Sequence, residues 1–171
     1  MELKPNASES KLLILYLFNE VRMDLNDLQV LRAFVELDIM NYFDLMNYIA
    51  ELTAGEMLAE KELPAGKYLS ITEKGKDVLA EFVQDIRNSQ RERIVEYCAS
   101  HKHELRSESL YTGEYQAVGS GYHVLLKIMD GSEAVFQMEL KVFSKDDAMH
   151  AIESWRKNAP KIYTTVLDKL K

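Results

Sequence analysis

Apolar residues recur at helical spacing up to about residue 110 and alternate with polar ones from about residue 114 onward. In the first regime, ESKLLILYLFNEVR (9–22) is apolar round most of its circumference between residues 12 and 18. That pattern predicts a helix buried on several sides, capped by Ser8 or Ser10. MDLN reads as a short extended link, and Asn26 as an N-cap for DLQVLRAFVEL, with Leu28, Leu31 and Val35 on one stripe. Asn41 caps a third helix, YFDLMNYIAELTAGE (42–56), closed by Gly55. Its spacing turns Phe43, Leu45, Met46, Ile49 and Leu52 inward and Tyr42, Asp44, Asn47, Tyr48 and Glu51 outward. EMLAEKEL and YLSIT flank a Pro64-Ala65-Gly66 breaker and predict a β-hairpin. Thr72 then caps TEKGKDVLAEFVQDI, with Val78, Leu79, Phe82, Val83 and Ile86 at helical spacing, and Ser89 with Glu92 reads as a capping box opening QRERIVEYCASHKHEL.

In the second regime EYQAV, YHVLLKIM and SEAVFQMELKVF are strand-like. The last places Ala134, Phe136, Met138, Leu140 and Val142 on one face and Glu133, Gln137, Glu139 and Lys141 on the other, the pattern of a half-buried antiparallel strand. Asp130-Gly131 is a two-residue hairpin signal. Ser144 and Asp147 cap KDDAMHAIESWRK, with Ala148, Ile152 and Trp155 on one stripe, and Pro160 starts a separate final helix carrying Ile162, Val166 and Leu170. The predicted class is α+β: a winged helix-turn-helix over 1–75, connecting helices over 76–110, and over 111–171 a small antiparallel sheet of three strands with two helices on one face.

Charge complicates that reading. Residues 8–75 hold six Lys/Arg against twelve Asp/Glu, so most of the net charge of −7 lies in the first third, where it repels nucleic acid. The longest apolar run, LLILYLF (12–18), is far short of the roughly 20 residues that span a bilayer, so no membrane association is expected. Glu2 and Glu9 before it, and no small-residue cleavage site after it, exclude a signal peptide, and a cytoplasmic address is expected. The single Cys98 allows no intramolecular disulfide and fits a reducing compartment.

LLILYLFNEV, IMNYF with YIAEL, YLSITEKGKDVL and SWRKNAPKIY together resemble a winged-helix family of unknown function from Gram-positive anaerobic bacteria, over nearly the whole chain. ITEKGKDVL is weakly specific, since many winged-helix regulators end their wing with such a T-x-x-G helix start, whereas IMNYF and SWRKNAPKIY are more specific. The resemblance implies a winged-helix fold and a role in transcription regulation, and brings no ligand, operator or catalytic residue with it. RNSQRER stands where a proline is expected between the two middle helices.

If the helix over 41–54 enters a major groove, Tyr42, Asn47 and Tyr48 reach base edges, and asparagine pairs bidentately with adenine. The structural alternative packs Tyr42 and Tyr48 on neighbouring helices and leaves Asn41 as a cap. Lys61, Lys67, Lys74 and Lys76 would form the phosphate-contacting edge of the 57–71 wing, or serve solubility among Glu60, Glu62 and Glu73. Arg87, Arg91 and Arg93 read as a solvated helix face, with Glu96 near Arg93. Cys98, His101, His103 and Glu104 do not make a metal site, because residues two apart on a helix point to nearly opposite sides. His123 and His150 are isolated and read as structural. No catalytic motif is present, VGSGY (118–122) reads as a turn, and neither catalysis nor a cofactor is expected. Val78, Phe82 and Ile86, with Ile94, Tyr97 and Cys98, offer more apolar stripe than one small winged helix uses; a homodimer contact and packing on the C-terminal sheet both fit. Three functions follow: a DNA-binding regulator, an acidic interaction scaffold for a basic protein partner, or a small-molecule sensor with Tyr122, His123 and Trp155 lining a C-terminal pocket.

Overall fold

Asparagine side chains start the first three helices. In the computed structural model, which describes residues 5–63, 66–130 and 133–171, helix α1 (Ala7–Val21) is capped by Asn6, whose Oδ1 accepts from the Glu9 N–H at 2.9 Å. Ser8 and Ser10 lie inside the first turn instead of capping it. Leu12 to Leu15, Leu17 and Phe18 are all buried, as an all-round apolar helix requires. The extended link forms a two-residue strand, β1 (Leu25–Asn26). Asn26 then caps α2 (Asp27–Glu36) in a reciprocal box: its Oδ1 accepts from the Gln29 N–H at 2.9 Å, and Gln29 Oε1 accepts from the Asn26 N–H at 3.1 Å.

Helix α2 does not bury the predicted stripe, of which only Leu31 packs, half-buried, against the core. Val30, Ala33, Phe34 and Leu37 face the core, while Leu28 is 75% and Val35 59% exposed. Both stripes are apolar, and the packing of α2 against α3, β1 and β3 decides between them. A paired reverse bond ends the helix, Ile39 N–H to Phe34 O and Asp38 N–H to Val35 O, both 3.1 Å, with Asp38 left-handed at φ 47°. Helix α3 (Tyr42–Ala54), capped by Asn41, ends the same way. Gly55 caps it at φ −80°, and the left-handed position falls on Glu56 at φ 59°.

Strands β2 (Leu58–Leu63) and β3 (Gly66–Ile71) pair antiparallel, and β1 adds to the far side of β3 for a strand order β1-β3-β2. Of the predicted Pro64-Ala65-Gly66 turn, residues 64 and 65 lie outside the described residues. Thr72 caps α4 (Glu73–Phe82), accepting from the Gly75 N–H at 3.0 Å and donating to Glu56 O at 2.7 Å. The helix predicted through Ile86 breaks earlier, into a 3-10 turn over Val83–Asp85. Helix α5 (Asn88–Leu110) starts ahead of Ser89, so the expected box does not form there, and Arg87 O accepts from the Gln90 and Arg91 N–H groups at 3.0 and 3.1 Å.

Two compact units result, Met1–Leu105 and Arg106–Lys171. The core of the first gathers α1, α2, α3, Leu58, Leu69, Leu79, Ile86, Ile94, Tyr97, Cys98 and Leu105. The surplus apolar stripe is therefore used up inside this unit, except for Phe82, which stays exposed.

In the second unit β4 (Tyr111–Val118), β5 (Gly121–Asp130) and β6 (Glu133–Val142) form an antiparallel sheet in that order. Gly119 at φ 60° and Ser120 make the β4–β5 turn, as expected of VGSGY. Gly131 of the predicted Asp130-Gly131 turn lies outside the described residues. A bulge opposite Ile128/Met129 interrupts the alternation at the start of β6 and leaves Ala134 exposed. One helix, α6 (Lys145–Leu170), follows where two were predicted, and Pro160 lies inside it. Ala148, Ile152, Trp155, Ala159 and Ile162 form an uninterrupted stripe over the cluster of Val124 and Leu126, so packing on both sides of the proline holds the helix together. The whole is an α+β fold: N-terminal helices interspersed with short strands, then a three-stranded sheet against one helix. Among the described residues no helix is long and apolar enough to cross a membrane.

Candidate nucleic-acid interface

Burial of Leu45, Ile49 and Leu52 at i, i+4, i+7 fixes which side of α3 faces out. Tyr42 and Asn47 are exposed, as expected. Phe43, predicted inward, is 80% exposed and meets Tyr42 edge to face at 5.6 Å, because it sits in the first turn, ahead of the buried stripe. Tyr48 is half-buried against the core, and Lys11 Nζ lies 5.7 Å from its ring centre. The amides on this face are already engaged: Asn47 Nδ2 donates to Glu51 Oε1 at 2.9 Å, and Asn41 Nδ2 to Asp44 Oδ2 at 2.7 Å. Glu51 also pairs with Lys11, and that hydrogen bond holds its carboxyl below the ordinary range. The outer face of α3 is thus aromatic at its start and acidic along its length.

Each of the four lysines expected at the wing touches a carboxylate. Lys61 Nζ is 3.0 Å from Asp24, Lys67 2.6 Å from Glu60, Lys74 3.6 Å from Glu56 and Lys76 2.6 Å from Glu73. The Glu60 contact raises the Lys67 pKa. Exposed pairs of this kind are weak and screened by salt, so a phosphate can displace them, but the carboxylates stay beside it.

Arg87 and Arg93 do something other than coat a solvated helix face. Buried Glu9 accepts from the Arg87 backbone N–H at 3.2 Å and from its Nε at 2.8 Å, which ties the start of α5 to α1. Arg93 donates to Leu37 O at the end of α2, and Arg91 to Asn88. Arg87 and Arg93 thus tie α5 to α1 and α2, whereas Arg91 stays on the surface of α5. His101 stacks on Tyr97 at 4.2 Å, with Nδ1 3.0 Å from Tyr97 O and Nε2 3.4 Å from Glu36. Burial pushes the Cys98 thiol up to about 11, so it stays protonated and is a poor nucleophile and ligand. Among the described residues no three His, Cys, Asp or Glu side chains are grouped to hold a metal ion.

The three residues expected to line a C-terminal pocket do not converge. Trp155 is buried in the sheet–helix core, stacked on Phe136, with Nε1 donating to Lys127 O at 3.2 Å. Tyr122 shares that face and meets Tyr115 edge to face. His123 is the next residue on the strand, so it points to the other side, where its Nδ1 is 2.7 Å from Glu139 Oε1.

Residues 10–170 match the family described as Domain of unknown function (DUF4364). The chain belongs to that family. No curated protein and no solved structure matches it. What spacing alone does not reveal in this DUF4364 chain is its long-range pairing. Glu9 meets Arg87 and Arg32 meets Glu104 at 3.2 Å across separations that no local pattern encodes. The exposed Leu28, Val35 and Phe43 were equally hidden, because each sits on a helix whose apolar pattern admits more than one buried face.

Proposed function

We propose that the first unit is a winged helix-turn-helix and that the protein is a transcriptional regulator, docking on DNA through α3 and the β2–β3 hairpin without catalysis. The observation that carries this reading is the topology: a short strand, two helices and a hairpin in strand order β1-β3-β2, with Tyr42 and Asn47 exposed on α3 and Lys61 and Lys67 on the hairpin. The resemblance of IMNYF and SWRKNAPKIY to a winged-helix family of Gram-positive anaerobes supports it. Gel retardation of the DNA upstream of its own gene tests it. Binding is expected to weaken steeply with salt, and Lys67→Glu to weaken it about tenfold, as loss of one charge-assisted phosphate contact does.

A second reading is favoured by one specific observation, the pairing of every wing lysine with a carboxylate beside an acidic, aromatic α3 face. On this reading the same face docks a basic protein surface, with Tyr42 and Phe43 as apolar anchors. Genomic fragments that show no salt-sensitive retention at all would sink the DNA reading and leave this one.

A further inference from the structure

The C-terminal sheet ends in an open strand. β6 is an outer strand of the order β4-β5-β6, and its side chains alternate between exposed and half-buried, none of them buried. A strand edge presents a row of N–H and C=O groups that pairs readily with another strand. After the bulge at its start, β6 is regular from Phe136 to Val142. Phe136, Met138, Leu140 and Val142 face α6, and Gln137, Glu139 and Lys141 face the other way. Ile152 of α6 sits over Gly113 of β4, where a Cβ would come within 2.9 Å of it, so the helix lies towards the β4 side. Met138, Leu140 and Val142 are left half-covered.

We propose that β6 pairs antiparallel with β6 of a second copy of this chain, about a two-fold axis at Leu140, joining two three-stranded sheets into one of six. The charges select both the occupant and the register. With the axis at Leu140, Glu139 faces Lys141 of the partner subunit and Lys141 faces the partner's Glu139, while Met138 faces the partner's Val142. Sliding the axis one residue to Glu139 sets two carboxylates against each other. The other edge lacks this self-complementarity: β4 carries Glu114 as its one charged residue, beside Gly113. Phe143, 77% exposed just past the strand, falls opposite the partner's Gln137 and extends the contact. The pairing covers the half-exposed apolar strip of both copies and removes the two free edges together. It is independent of whether the first unit binds DNA.

Sedimentation velocity of the full chain over a micromolar concentration series tests this. The wild-type protein is expected to run at about twice its 19.7 kDa. Lys141→Glu alone and Glu139→Lys alone should each run as monomers, because each sets like charges opposite one another. An equimolar mixture of the two variants should recover the dimer, since one then carries two lysines and the other two glutamates at the paired positions. Recovery by mixing distinguishes a charge-selected interface from simple loss of fold. A monomeric wild type, dimers in both single variants, or a mixture that stays monomeric would each overturn the proposal.

Discussion

At Gly75 a Cβ would sit 2.2 Å from the Met57 carbonyl oxygen and 2.9 Å from Ile71 Cγ1, inside any normal contact distance. Thr72 holds the backbone there by accepting the Gly75 N–H while its own hydroxyl donates to Glu56 O. The T-x-x-G spacing therefore joins two constraints, a cap that fixes the start of α4 and a glycine that lets that start lie against the chain before β2. Gly75→Ala is expected to lower stability by about 1–3 kcal/mol, because the blocking atom is backbone and cannot rotate away. Urea denaturation followed by circular dichroism measures this, and an unchanged midpoint would show that the contact relaxes freely. The spacing itself was legible in the sequence. The reason for the glycine was not, because Met57 is eighteen positions away and lies close only in the folded chain.

Elements show most clearly where local preference yields to packing. A proline in the first turn of a helix is favoured, so SWRKNAPKIY reads as one helix ending and another beginning. In the fold α6 continues, with buried Ala159 just before the proline and half-buried Ile162 just after it on the same apolar cluster. The missing proline N–H leaves the Arg156 carbonyl without its helical donor, so it is this packing that carries the helix through. Proline inside a helix costs up to about 3 kcal/mol against alanine, so Pro160→Ala is expected to stabilise the second unit by about 1–3 kcal/mol. A thermal midpoint that does not rise would mean that the helix needs its bend to lie along the sheet. Helix α2 teaches the complementary lesson. Its cap, Asn26, was readable from spacing, but its two apolar stripes were not distinguishable until β1, β3 and α3 were in place against the helix.

For the molecule as a whole, the decisive feature is its division into two units, each with its own core. Trp155 is the largest side chain in the second core, and Trp155→Ala is expected to cost about 3–5 kcal/mol there. Hydrogen exchange should show amides of β4, β5 and β6 losing protection while those of α1 and α2 keep theirs. Equal loss in both sets would mean that the units unfold as one. The uneven charge also acts at this scale, since the surplus of acid over base in the first third sets which partners approach α3 before any contact forms. By itself the sequence determined what depends on near neighbours: period, the Asn26, Asn41, Thr72 and Ser144 caps, the VGSGY turn, the α+β class and the acidity of the first unit. Tertiary structure alone decided which apolar stripe of α2 is buried, that α6 is one helix, that Arg87 serves Glu9, and that His123 and Trp155 lie on different faces. Those outcomes turn on which distant surface each element meets, and a one-dimensional pattern fixes an element's faces without fixing what they touch.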